Sequence, residues 1–87
     1  MEIEFDSAKD EVNRLKHGFP LALGVEVLIN PIATEPDLRR DYGETRLNAF
    51  GISENRLMVC TYTMRGTVYR IISYRKASRQ EQRSWLS

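Results

Sequence analysis

Between Arg46 and Tyr74 three segments rich in β-branched and aromatic residues follow one another across two short turns, and nothing else in the sequence restricts the fold as much. Arg46–Ile52 alternates apolar and polar side chains, and Leu57–Thr63 reads as a central strand. Thr67–Tyr74 is the clearest strand in the chain. Ser53-Glu54-Asn55 and Met64-Arg65-Gly66 supply the turn residues between them. Connections this short leave no room for a crossover, so the three strands are expected to pair as an antiparallel meander.

The flanks then read as follows. Met1–Phe5 sets Ile3 and Phe5 against Glu2 and Glu4, the alternation of a short edge strand. Asp6 is a candidate N-cap. Ala8, Val12 and Leu15 recur at helical spacing, and Gly18 stands where a helix ends, which predicts a helix over 7–17. From Phe19 to Ile29 the chain is strongly apolar. Periodicity leaves helix and strand nearly tied there, and the flanking Pro20 and Pro31 tip the reading to a helix from Pro20 to about Ile29. Residues 31–42 read as a loop, with a short extended piece at Ile32–Thr34. Ala77–Leu86 reads as a terminal helix with Ser78 and Glu81 at capping-box spacing. The order β-α-α-β-β-β-α is that of an α+β fold, an antiparallel sheet with helices packed on it. Residues 1–87 are expected to form a single domain. A chain of 87 residues has a modest core. Part of the apolar 20–29 segment, Leu21 and Leu28 in particular, is therefore expected at a protein interface, with a partner or with a second copy in a homodimer.

Residues 1–44 carry five Lys/Arg and ten Asp/Glu; residues 45–87 carry eight and two. A basic half of net +6 beside an acidic half of −5 points to an anionic partner such as nucleic acid, although ordinary domains show such asymmetry too. Cys60 is the one cysteine, so no internal disulfide forms; mid-strand between Val59 and Thr61 it reads as a buried, inert thiol. With one histidine and one cysteine a structural zinc site is excluded, and no cofactor motif is present. No secretory signal or membrane span is read, which makes the cytoplasm the default location and a membrane partner unexpected.

Two sets of side chains could carry chemistry. Lys9, Asn13, Lys16 and His17 share a polar face of the first helix, which is either a solvated face or a binding one. His17 is the sole side chain that titrates near neutrality, and the dipole at a helix C-terminus favours its charged form. Glu44, Arg46, Arg70 and Arg75 form the second set. Arg70 interrupts the apolar run Val68-Tyr69-Arg70-Ile71-Ile72; it either grips an anion with its planar fork of donors or pairs across the sheet with a carboxylate. Arg75, Arg79 and Arg83 are spaced by four and read as one basic stripe.

These residues resemble a known family. Phe5-Asp6, Lys9, Asn13 and Lys16-His17-Gly18, then Glu44-Thr45-Arg46 and Gly51, then Arg70-Ile71-Ile72-Ser73-Tyr74-Arg75-Lys76-Ala77 and Glu81, are similar to the BrnT toxins, in order along nearly the whole chain. The second helix departs from that pattern. Leu21-Ala22-Leu23 and Ile29-Asn30-Pro31 stand where the family often has an acidic pair and an Asp before the proline, and Trp85 stands where tyrosine is usual.

The resemblance implies a RelE-like ribonuclease fold and a toxin of a type II toxin–antitoxin system that inhibits translation and growth. It implies metal-independent RNA cleavage, neutralised by a cognate DNA-binding antitoxin. Carried over by position, His17, Glu44, Arg46, Arg70 and Arg75 are the catalytic candidates. Lys9, Lys16 and Ser73, with Arg79 and Arg83 of the stripe, are the RNA-binding ones. Cleavage without a metal needs a base for the 2′-hydroxyl, cations for the phosphorane and an acid for the leaving oxygen. Arg46 and Arg70 would hold the phosphate, His17 or Glu44 would be the base, and Lys16 or Arg75 would assist charge or protonation. The alternative is a non-catalytic α+β RNA- or protein-binding module, with Tyr62, Tyr69 and Tyr74 as stacking residues; in a regular strand, however, Tyr69 and Tyr74 point to opposite faces.

Overall fold

The computed structural model describes residues 1–39 and 41–87; Arg40, counted above for its charge, lies outside them. Among the described residues the meander forms as read. Leu47–Ser53 (β3), Arg56–Arg65 (β4) and Val68–Lys76 (β5) pair antiparallel in sequence order. Ser53 faces Arg56 across a two-residue loop whose residues, Glu54 and Asn55, both have positive φ (52° and 63°). That is the backbone of the tight hairpin turn whose twist matches the flanking strands.

Two strands extend the meander. Glu2–Glu4 (β1) is an edge strand, as its alternation implies, but it runs parallel to β5. Ala33–Pro36 (β2) pairs antiparallel with β3 at the far edge. The sheet is therefore mixed rather than antiparallel throughout, in the order β1-β5-β4-β3-β2. The expected loop over 31–42 contains this extra strand, later and longer than the extended piece read at 32–34.

Ser7–His17 (α1) is the predicted helix, capped by the Asp6 carboxylate at Ala8 and Lys9 and ended by Gly18 at φ 84°. Its buried side is not the one its apolar residues mark. Val12 is 60% and Leu15 83% exposed, while Asn13 is buried. The Asn13 amide donates to the Phe19 and Tyr74 carbonyls and accepts from the Tyr74 N–H, at 2.8, 2.9 and 3.1 Å. β1 pairs with β5 only through Arg70, so this side chain supplies hydrogen bonds at Tyr74, beyond the end of that pairing.

The expected second helix is broken in two, a 3₁₀ turn at Leu21–Gly24 and one α-turn at Val25–Leu28 (α2). Gly24 lets it close on the sheet; a Cβ there would lie 2.7 Å from Cys60 Sγ. Leu21, Val27 and Leu28 are buried against Met58, Cys60, Ile71 and Tyr74. This corrects the expectation for Leu21 and Leu28, which are core; Leu23 and Ile29 are the exposed large apolar residues of that segment. Cys60 is buried as expected, and desolvation pushes its thiol up to about 12.

On the other face Phe50, Leu57, Val59 and Ala77 form a smaller cluster. Arg79–Leu86 (α3) lies against it through Trp85, whose ring centroid is 5.4 Å from that of Phe50. Ser78 and Glu81 form the capping box their spacing predicts.

One irregularity matters for the site. Thr61 faces Ser73 and Tyr62 faces Ile71, so Ile72 is an extra residue in β5. Directly paired residues share a face, and alternate residues along β4 do too. Arg70, Ser73 and Arg75, opposite Thr63, Thr61 and Val59, therefore lie on one face. In a regular strand Arg70 would oppose the other two. The same slip puts Tyr69 and Tyr74 on one face, contrary to the expectation of opposite ones. Both pack with Tyr62 at the larger core, where they form no exposed stacking platform.

Asn13→Leu keeps the branched shape but leaves three backbone groups without their partner, each costing about 1–3 kcal/mol when buried. Urea unfolding should show a loss of about 3 kcal/mol or more. Leu15→Ser, which the apolar pattern alone would rank as worse, should change stability by less than about 0.5 kcal/mol.

Candidate active site

On the face shared by Arg70, Ser73 and Arg75 there is a cleft of about 420 Å³. Thr61, Ile72, Ser73 and Arg75 come from the strands, and Lys16 and His17 from the last turn of α1. Arg39, Tyr42 and Arg46 come from the segment between β2 and β3. Five of these nine side chains are basic and none is acidic.

Each arginine is held from outside the cleft. Arg75 grips Glu81 of α3 in a bidentate pair at 2.8 and 3.0 Å and also donates to the Lys76 carbonyl. Arg75 holds the Glu81 carboxyl down at about 2, so this pair stays ionised through the ordinary pH range. Three of the five guanidinium N–H groups are thereby used, which fixes the plane and leaves two for a ligand. Arg46 donates from Nε to Glu44 at 3.1 Å, and its guanidinium lies 3.8 Å above the centre of the Tyr42 ring. Arg39 forms a fork on Asp37, at 2.9 Å through both nitrogens, and the Tyr42 hydroxyl donates to the same carboxylate. Asp37 is buried, and its bonds to Arg39 hold it at about 2. One carboxylate thus ties Arg39 directly and Arg46 through the Tyr42 ring.

His17 behaves opposite to the helix-dipole expectation. Burial, then the charges of Lys16 and Arg75, lower its pKa from the ordinary value. The imidazole is predominantly neutral at pH 7 and able to accept a proton.

The candidate residues thus divide. The cleft brings together Lys16, His17, Arg46, Ser73 and Arg75. Lys9 lines an adjoining groove. Glu44 lines a different hollow and touches the cleft only through Arg46. Arg70 does not line the cleft; it donates to Glu4 at 3.0 Å, the cross-strand pairing that was its alternative reading. Arg79 and Arg83 line a shallow hollow on α3. Arg75 belongs to β5 and not to the helix, so the stripe expected from the spacing of four is broken at its first member. Asp37, Arg39 and Tyr42 are not among the sequence candidates. Asp37 and Arg39 sit two apart, which fits a local fork, but nothing in that segment's polar composition marks it as folding over the cleft.

A small α+β protein with a cationic cleft and a neutral imidazole at its rim has the makings of a phosphodiester-binding protein. The model of the ribonuclease toxin BrnT of type II toxin–antitoxin systems matches residues 5–81, and the chain belongs to this family. A search of curated proteins gives no match.

An anion that binds the folded cleft stabilises the protein by mass action, by about 1.4 kcal/mol at ten times its Kd. Inorganic phosphate should therefore raise Tm by several degrees, the scale for a domain this small. Arg46→Gln and Arg75→Gln should each abolish the rise in a thermal melt, while Arg79→Gln and Arg83→Gln should leave it.

Proposed function

We propose that this chain is a metal-independent endoribonuclease whose cleft binds the scissile phosphate of RNA. One observation carries the reading: five basic side chains converge on one cleft with no acid among its described lining residues; burial and the neighbouring charges lower the pKa of the one imidazole among them. In the proposed reaction Arg46 and Arg75 grip the non-bridging oxygens, where negative charge grows as the 2′-oxygen attacks phosphorus. Neutral His17 takes the 2′-hydroxyl proton, and Lys16 gives a proton to the departing 5′-oxygen. The products are a 2′,3′-cyclic phosphate and a 5′-hydroxyl, with atoms and protons balanced. Ser73 donates to the bound phosphate. Glu44 orients Arg46 and does not act as the base. Arg70, paired with Glu4, stands outside the step.

In the cell, cleavage of RNA would inhibit translation and arrest growth. An antitoxin that also binds DNA would neutralise the toxin in the cytoplasm, where RNA is met. Family membership and the basic cleft support this; induction of the wild type without its partner should stop growth, and an Arg46→Ala/Arg75→Ala double variant should not.

Single-turnover cleavage tests the chemistry. Arg46→Ala and Arg75→Ala should each slow it by about 10²–10³-fold, the scale for one preorganised donor, with a much smaller loss of RNA binding. Equal losses in both would make the two arginines docking residues only.

The pH profile tests the base. The working form of His17 is unprotonated, so the rate should rise with pH to a plateau with an apparent pKa below 6.5. Lys16 is one of the charges that lower the His17 pKa, so Lys16→Gln should move the ascending limb to higher pH. An unmoved limb would remove His17 from the role.

A further inference from the structure

Beside the cleft, between α1 and the bulged stretch of β5, lies a second recess of about 310 Å³. It opens into the cleft through a common wall of Lys16, His17, Ile72 and Ser73. Its other walls have a different character. Ala8 and Val12 of α1 line it with Ile72, Lys9 adds a second ammonium group, and no acidic side chain is among its described lining residues. Asn13 lines it too, but both its amide hydrogens are committed to the Phe19 and Tyr74 carbonyls. The recess is thus apolar along its sides and cationic at its lysines, with the basic cleft next door.

Two features of the fold find a use here. Val12 sits at a helical position whose spacing marks it for the core, yet it is 60% exposed. Ile72 is the residue the β-bulge inserts, and it stands in the wall between the two recesses. Bulges re-aim side chains in this way beside functional sites.

We infer that the groove is a nucleobase subsite. It takes the base of the nucleotide joined to the phosphate in the cleft, with the ring against Val12 and Ile72. Ammonium groups only donate, so Lys9, which lines the groove and takes no part in the cleavage step, suits a base edge made of acceptors; guanine, with O6 and N7 side by side, matches best. The inference rests on the ribonuclease reading of the cleft and adds to it which part of the RNA is read, and by which residues.

The test is NMR titration of the labelled protein with guanosine 3′-monophosphate and, separately, with ribose 5-phosphate, which has no base. The nucleotide should move the methyl signals of Ala8, Val12 and Ile72 by ring-current shifts, together with the amides of Ser73 and Arg75. The sugar phosphate should move only the amides. Val12→Gln, at an exposed helix position, should weaken the nucleotide about fivefold and change ribose 5-phosphate affinity by less than twofold. Shifts at Ser73 and Arg75 with silent methyl groups would overturn the subsite and leave the cleft reading standing. Methyl shifts that need a co-expressed antitoxin, and not a nucleotide, would make the groove a protein-docking surface and overturn it likewise. No response at either set to either ligand would defeat the cleft reading and the subsite with it.

Discussion

The site depends on how Asn13 holds the edge of β5. Beyond the β1 pairing, Tyr74 would be left with a donor and an acceptor at a buried position, and Asn13 answers both from one amide. This fixes the distance between α1 and β5, so that Lys16 and His17, one helical turn further on, stand over Ser73 and Arg75. The bulge at Ile72 lies in the same stretch and turns Arg70, Ser73 and Arg75 to one face. A hydrogen bond of ordinary strength thus acts chiefly through geometry. It decides which side chains of a helix and of a strand can reach the same ligand.

Charge is arranged around that geometry. Four cations, Lys16, Arg39, Arg46 and Arg75, repel one another in one cleft, and no acidic side chain among its described lining residues relieves them. The relief comes from behind, with Glu81 on Arg75, Glu44 on Arg46 and Asp37 on Arg39. Such pairs stiffen the guanidinium groups and leave donors facing inward, the preorganisation that favours an anion over water. Burial, with the charges of Lys16 and Arg75 adding to it, lowers the pKa of His17. The cleft that would bind the phosphate therefore also supplies a neutral base.

Elements governed by neighbours in sequence were legible. The Asp6 cap, the Gly18 stop, the Ser78–Glu81 box and the meander all follow from short-range patterns, and the structure carries each of them. Features that depend on long-range pairing were not. The parallel β1 and the edge strand β2 each join a distant part of the chain. The bulge changes no residue type, so Tyr69 and Tyr74 read as opposed when they are not. Asn13 looked polar and therefore exposed, whereas Val12 and Leu15 looked apolar and therefore buried; the sheet edge reverses both. Arg70 was marked by its apolar surroundings, a signal that a cross-strand partner such as Glu4 produces equally well. The Asp37, Arg39 and Tyr42 cluster was hidden in a polar segment whose path over the sheet no local pattern records.

The most direct test of the central claim is a crystal structure with a short RNA carrying 2′-O-methyl groups, which block the attacking oxygen. The account predicts one phosphate within hydrogen-bond distance of both Arg46 and Arg75, with the adjacent 2′-oxygen beside the His17 imidazole. A strand running instead along Arg79 and Arg83 on α3, with the cleft free of phosphate, would contradict it.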